Sequence, residues 1–172
     1  EKQELLKRIS TLTMIKSRKY LKAVIDMFDS HLHTNNSPDA VQSIDELCLA
    51  AIQNNLSGIS ICDHAEVSLF HMADFFKLIK GSVKDTAMAQ QKYGDKIKIL
   101  QGIEISEFFW DDSKVKTFLS LGNYDVILGS VHRVECIGHN DSYSRVDMKN
   151  TPFEHLHEFL SIYFDDMVRM IK

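Results

Sequence analysis

Only three cysteines occur, Cys48, Cys62 and Cys136, far apart and without a Cys-x-x-Cys pair. An odd, scattered set argues against a disulfide framework and fits a reducing compartment. No apolar run approaches the roughly 18 residues that a membrane helix needs. No basic tract is long enough to follow a phosphate backbone, and the formal net charge is -4. Extended nucleic acid therefore gets no support as a partner. The opening stretch, EKQELLKRIS, is charged from its first residue and does not read as a secretory signal. Repeated blocks, low-complexity tracts and domain linkers are also missing. The expectation from these absences is a cytoplasmic protein with no membrane partner.

What is present is an ordinary globular composition. Apolar residues make up 44% and charged residues 26% of 172 positions. That suffices for one domain with a real core. It is short for a complete α/β barrel, which usually takes about 250 residues.

Residues 1–22 read as a helix, with Leu5, Leu6, Ile9, Leu12 and Ile15 at helical spacing. AVIDMF (23–28) reads as a short strand or the end of that helix. TNNSPDA is a loop, with Pro38 suited to the first turn of a helix over 39–54. GISIC (58–62) is a compact strand. A long helix is expected over 68–93, with Gly94 at its end. KIKILQGIEIS (96–106) is a strand, 112–121 a short helix and YDVILGSVH (124–132) another strand. A polar loop follows, and then a helix over 153–171. Alternation of this kind predicts parallel strands joined by right-handed crossovers.

Each candidate strand ends in, or next to, an imidazole or a carboxylate: His31 and His33, Asp63 and His64, Glu104, and His132. In a parallel α/β fold the carboxyl ends of the strands lie on one side, so groups distant in sequence converge there. Neutral imidazole and carboxylate suit borderline divalent metals. His31 and His33, two apart on an extended chain, point the same way and can share one ion or hold two neighbours. Each residue also has a plain structural reading: His64 as a strand cap, Glu104 as half of a salt bridge, His132 as a loop residue. The four together are harder to assign to chance. His71, His155 and His157 read as surface or packing residues, and Cys48 and Cys62 as small core residues. His139, in a polar loop near the presumed mouth, is a weaker candidate for substrate contact.

DSHLHT with SPDA, then ISICDHAE, LQGIEIS and VILGSVH, resembles the PHP (polymerase and histidinol phosphatase) superfamily, in particular its histidinol-phosphatase branch. By that resemblance, Asp29, His31 and His33 match an Asp-x-His-x-His motif. Cys62, Asp63 and His64 match a Thr-Asp-His-like motif, Glu104 a Gly-x-Glu motif, and His132 a Gly-Ser-x-His motif. The resemblance implies a distorted (β/α)7 TIM-like barrel with two or three divalent ions, manganese, iron or zinc. It implies phosphoester hydrolysis, with L-histidinol phosphate as the substrate in members serving histidine biosynthesis. His31, His33, His64, Glu104 and His132 become the expected metal ligands. Glu104 would bridge two ions, Asp29 would orient His31 or His33, and Arg133 would contact the phosphate. Asp63 would orient a ligand or touch a metal, and Ser130 and His139 would line the pocket.

Two departures accompany the resemblance. The family pattern continues with a Gly-His-x-Asp-like strand and an Asp-x-His strand, which have no counterpart before Lys172. About 28 residues precede the first motif, where family members usually begin. The expectation is therefore a partial or truncated barrel over 28–172, preceded by an N-terminal helical extension over 1–27. Open strand edges would invite a homo-oligomer. Three readings of function compete: a histidinol-phosphatase-like enzyme, another phosphoesterase on the same metal scaffold, and a non-catalytic metal-binding remnant.

Overall fold

The computed structural model describes residues 27–69, 74–136, 139–142, 146–147 and 149–171. The helix expected over 1–22 lies outside them. So do His71 and most of the strand expected over 23–28.

The first strand, β1 (Phe28–Leu32), carries Asp29 and His31 within it. Its chain therefore runs further than the apolar run AVIDMF suggests. Pairing explains the shift: Phe28 and Asp29 register with Gly58 and Ile59 of β2 (Gly58–Ile61). Between them, α1 (Ile44–Gln53) starts five residues later than expected, at a capping box in which Ser43 and Glu46 satisfy each other's backbone amides. Ile44, Cys48 and Ala51 form its buried face.

The second expected strand does not end at Cys62. After a break at Cys62 and Asp63 it resumes as β3 (His64–Glu66). Both pieces lie parallel to one long strand, β4 (Lys98–Ser106): β2 along Lys98–Gln101 and β3 along Glu104–Ser106. Gly102 sits opposite the break. A Cβ there would stand 2.4 Å from Cys62 Sγ and 2.6 Å from the Ile61 carbonyl oxygen, so no other residue fits without displacement. On the other side of β4, β5 (Val126–Ser130) pairs in parallel along Gly102–Ser106. The four expected parallel strands are thus present in sequential order, with the second one interrupted.

Helices pack on one face of this curled sheet, which forms half of a barrel. Between β3 and β4, α2 (Phe75–Tyr93) begins at an Asp74 cap and buries Phe75, Ile79, Ser82, Thr86, Ala89 and Tyr93 at helical spacing. The earlier start expected at 68 falls instead on a turn after β3 and on residues outside those described. Between β4 and β5, α3 (Asp112–Leu119) is capped by Asp111. Ile59, Ile61, Ile97 and Ile99 pack with α1 and α2, and Ile103 and Ile105 with Phe75, Ile79 and Phe118. At about 25 cal/mol per Å² of apolar area, these buried isoleucines and aromatics supply the main driving force for closing helices on sheet. Residues between them on β4, including Gly102 and Glu104, look out from the opposite face.

The stretch after His132 is not a simple loop. β6 (Arg133–Cys136) and β7 (His139–Ser142) form an antiparallel hairpin. The last helix, α4 (Phe153–Ile171), has the expected bounds and buries Phe159 beside Val131 and Val134. Among the described residues no helix is long and apolar enough to cross a membrane. Cys48 and Cys62 are buried free thiols, as expected of small core residues.

Candidate metal centre

Four imidazoles stand in a row on the face that the helices leave open. Ring centroids are 4.9 Å apart for His31 and His33, 4.3 Å for His33 and His64, and 4.9 Å for His64 and His132. Their elements explain the row. β1 brings His31 and, one residue beyond its end, His33; β3 begins with His64; His132 follows β5. Glu104, on the central strand, lies beneath all four. Its Oε2 is 2.9 Å from His31 Nε2, 3.0 Å from His33 Nε2 and 3.6 Å from His64 Nδ1, and its Oε1 is 3.2 Å from His132 Nε2.

Two further carboxylates complete the cluster, and sequence reasoning missed both. Asp39 Oδ2 lies 2.9 Å from His33 Nδ1 and 3.3 Å from His64 Nε2. Glu66 Oε1 lies 2.8 Å from His132 Nδ1 and 3.1 Å from His64 Nδ1. Glu66 had a signal: in His64-Ala65-Glu66 the outer two residues share a face, as do His31 and His33. Asp39 had only its place in the loop after β1.

The remaining expected residues sit around this cluster in different ways. Asp29 accepts a hydrogen bond from the His31 backbone amide at 3.3 Å rather than from a ring nitrogen; the ring contact on His33 comes from Asp39. Asp63 is fully buried and accepts from Thr34's amide at 2.6 Å and hydroxyl at 2.8 Å. It pins the loop after β1 and has no place among the ligand groups. Ser130 ends β5, in register with Ser106. Arg133 follows His132, and its backbone amide donates to Glu107 at 2.8 Å. His139 opens β7, the second hairpin strand. His155 and His157 are exposed on α4, away from the row.

The electrostatics follow from this crowding. Burial raises the pKa of Glu104, but His132, His33 and His64 outweigh it and hold the carboxyl far below its usual range. Glu66, opposed by burial in the same way, is held down to about 2 by His132 and His64. Glu104 raises His33 to about 9 against burial, with help from Asp39. His132 reaches about 10, because Glu104 and Glu66 overcome its own burial. In the metal-free protein these carboxylates are thus anions, and His33 and His132 cations, near neutral pH.

The donor set fits divalent cations. Three groups each bring their ligand atoms within 4.8 Å of one another: His31, His33 and Glu104; His33, Asp39 and His64; His64, Glu66 and His132. Glu104 also reaches from the first group toward His132. Nitrogen and carboxylate oxygen without thiolate suit zinc, manganese or iron. His64 Nδ1 is buried without a well-formed hydrogen bond, as a nitrogen kept for coordination would be.

Residues 29–171 match the PHP domain family. The chain belongs to that family. Among relatives, a protein named "Probable histidinol-phosphatase" from Clostridium acetobutylicum is 28% identical over 146 residues, 85% of this chain and 52% of the relative. The putative histidinol phosphatase of Listeria monocytogenes superposes with a TM-score of 0.58 at 22% identity, covering 70% of this chain and 50% of that chain. This likeness concerns the fold. A histidinol phosphate phosphatase from Lactococcus lactis, solved with zinc, L-histidinol and phosphate, gives a TM-score of 0.48 at 24% identity over 62% of this chain and 40% of its own. The chain thus spans about half the length, or less, of the curated relatives it matches.

Proposed function

We propose that this PHP domain is a metal-dependent phosphomonoester hydrolase of the histidinol-phosphatase type. The observation that carries the reading is the gathering of His31, His33, Asp39, His64, Glu66, Glu104 and His132 from separate strands and loops into three overlapping ligand groups. Two or three divalent ions held there would supply an activated water and neutralise charge on the phosphoryl oxygens. Glu104, touching both ends of the histidine row, is the natural bridging residue. Asp39 and Glu66 orient the ring nitrogens of His33 and His132 and share in binding. Arg133, next in sequence to His132, would meet a phosphate oxygen. Asp29 and Asp63 fix the backbone on which His31 and His33 are carried, and Ser130 and His139 would line the pocket.

The substrate proposed is L-histidinol phosphate, in keeping with the histidinol-phosphatase names of the relatives. Another phosphomonoester would use the same metal residues. Association of two copies through the open sheet edges is proposed as well. The test is phosphate release from L-histidinol phosphate by the chain loaded with zinc or manganese, beside a panel of other phosphomonoesters. Hydrolysis should be lost at least about 100-fold in Glu104→Gln with the fold intact. Bound metal without hydrolysis of any phosphomonoester would leave a metal-binding domain without this activity.

A further inference from the structure

Glu107 is a carboxylate beside the histidine row that holds backbone amides rather than a ring. It lies one residue beyond β4 and three beyond Glu104, and it is completely buried. Its backbone is left-handed, with φ 42° and ψ 42°. Glutamate seldom adopts this conformation, and it persists only where surrounding contacts fix it. Those contacts are specific. The Glu107 amide donates to the Ser130 carbonyl at 2.9 Å, at the end of β5. Oε1 accepts two backbone amides in succession, from His132 and from Arg133. The other oxygen, Oε2, is buried and makes no well-formed hydrogen bond among the described residues.

The two amides need such an acceptor. His132 lies between the end of parallel β5 and the start of antiparallel β6, and Arg133 opens β6; the amides of both turn to Glu107. Val131 and Val134 on either side are buried, which keeps water from serving instead. The direction of the chain here decides where the His132 ring goes. From it, His132 reaches Glu66 at 2.8 Å and Glu104 at 3.2 Å.

We infer that Glu107 is a positioning residue for the metal centre: by clasping the His132 and Arg133 amides it aims the His132 ring into the group with His64 and Glu66, and it roots the hairpin that carries Arg133. The inference rests on the metal-centre reading and adds to it a residue outside the ligand set. What matters is the reach of the acceptor, not its charge. Glu107→Gln keeps a carbonyl oxygen at the same distance, whereas Glu107→Asp keeps the charge but withdraws the acceptor by one methylene.

The experiment measures zinc affinity and stoichiometry of the native chain, Glu107→Gln, Glu107→Asp and Glu107→Ala by competition with a chromophoric chelator. In parallel, hydrogen exchange of the His132 and Arg133 amides is followed in the metal-free proteins. The expected result is near-native zinc binding and amide protection in Glu107→Gln. In Glu107→Asp, the weakest zinc site should lose about 10- to 100-fold in affinity and the two amides should exchange faster. Glu107→Ala should lose at least as much; should it fail to fold, the Gln and Asp pair decides. Native-like zinc binding in Glu107→Asp, or a Gln variant as impaired as Asp, overturns the inference. Failure of the native chain to bind zinc sinks the metal-centre reading itself, and is told apart because the exchange of the two amides still reports on the clasp.

Discussion

Glu66 Oε1 and His132 Nδ1 lie 2.8 Å apart, joining β3 to the end of β5 across the strand between them. Glu66's second oxygen accepts the Ser106 hydroxyl at 2.7 Å, so its side chain is held from both sides. The contact closes the row of histidines at the end away from β1.

Glu66→Gln should therefore weaken that end of the centre without disturbing the other. The amide retains the volume and one acceptor oxygen but lacks the charge that a cation or a protonated His132 requires. The expected outcome is loss of zinc affinity by about tenfold or more at one site, with the site at His31 and His33 unchanged. Isothermal calorimetry of zinc binding to Glu66→Gln and to Glu104→Gln checks this. Glu104→Gln should affect both ends, because its two oxygens reach His31, His33 and His132.

Proton release should accompany metal uptake. His33 at about 9 and His132 at about 10 both carry a proton at pH 7 in the metal-free chain. A coordinating imidazole gives that proton up, so affinity should rise with pH from 6 toward 9. Calorimetry at pH 7 in two buffers of different ionisation enthalpy should yield different apparent heats, corresponding to more than one proton released. Equal heats in both buffers would contradict the charge state. The stability of the metal-free chain has the matching signs. Raised histidines stabilise it fully below their ordinary value of 6.5, and this contribution is lost as pH climbs through about 9 to 10. Glu66, lowered from 4.5 to about 2, stabilises it above 4.5, and that contribution is lost as pH falls toward 2. Thermal melts across pH should thus fall away at both extremes.

The candidate ligands at strand ends were legible because parallel strands place their carboxyl ends together, and a short apolar run followed by His or Glu marks each one. His31, His33, His64, Glu104 and His132 do meet. Glu66 was hidden by taking GISIC as the whole strand. Periodicity gave no sign that pairing with β4 would restart the strand at His64. The Ser43-x-x-Glu46 signature was present for the helix start, yet Pro38 drew attention to an earlier boundary. The β6–β7 hairpin had almost no local signal, since HNDS is poor in residues that favour strands. Asp39 and Glu107 act through loop geometry, which sequence spacing does not encode.

Asp63 offers a test of how the centre is supported. It sits at the break between β2 and β3, and both its oxygens are taken by Thr34, one by the amide at 2.6 Å and one by the hydroxyl at 2.8 Å. Thr34 follows His33, and both Thr34 and Asp63 are buried. Asp63→Ala strands two donors where water does not reach, at a cost of about 3 kcal/mol or more. Asp63→Asn keeps one acceptor and turns the other oxygen into a donor facing one of Thr34's groups, so it should cost nearly as much. Thr34→Val leaves the amide bond but unpairs one Asp63 oxygen and removes the acceptor of the Asn36 amides, so about 2 kcal/mol is expected. Urea denaturation of the metal-free proteins measures all three. The order Asp63→Ala, then Asp63→Asn, then Thr34→Val, from most to least destabilised, marks Asp63 as the anchor of the loop that carries His33. A metal ligand would instead lose little stability in the metal-free state and most of its effect would appear only with zinc present.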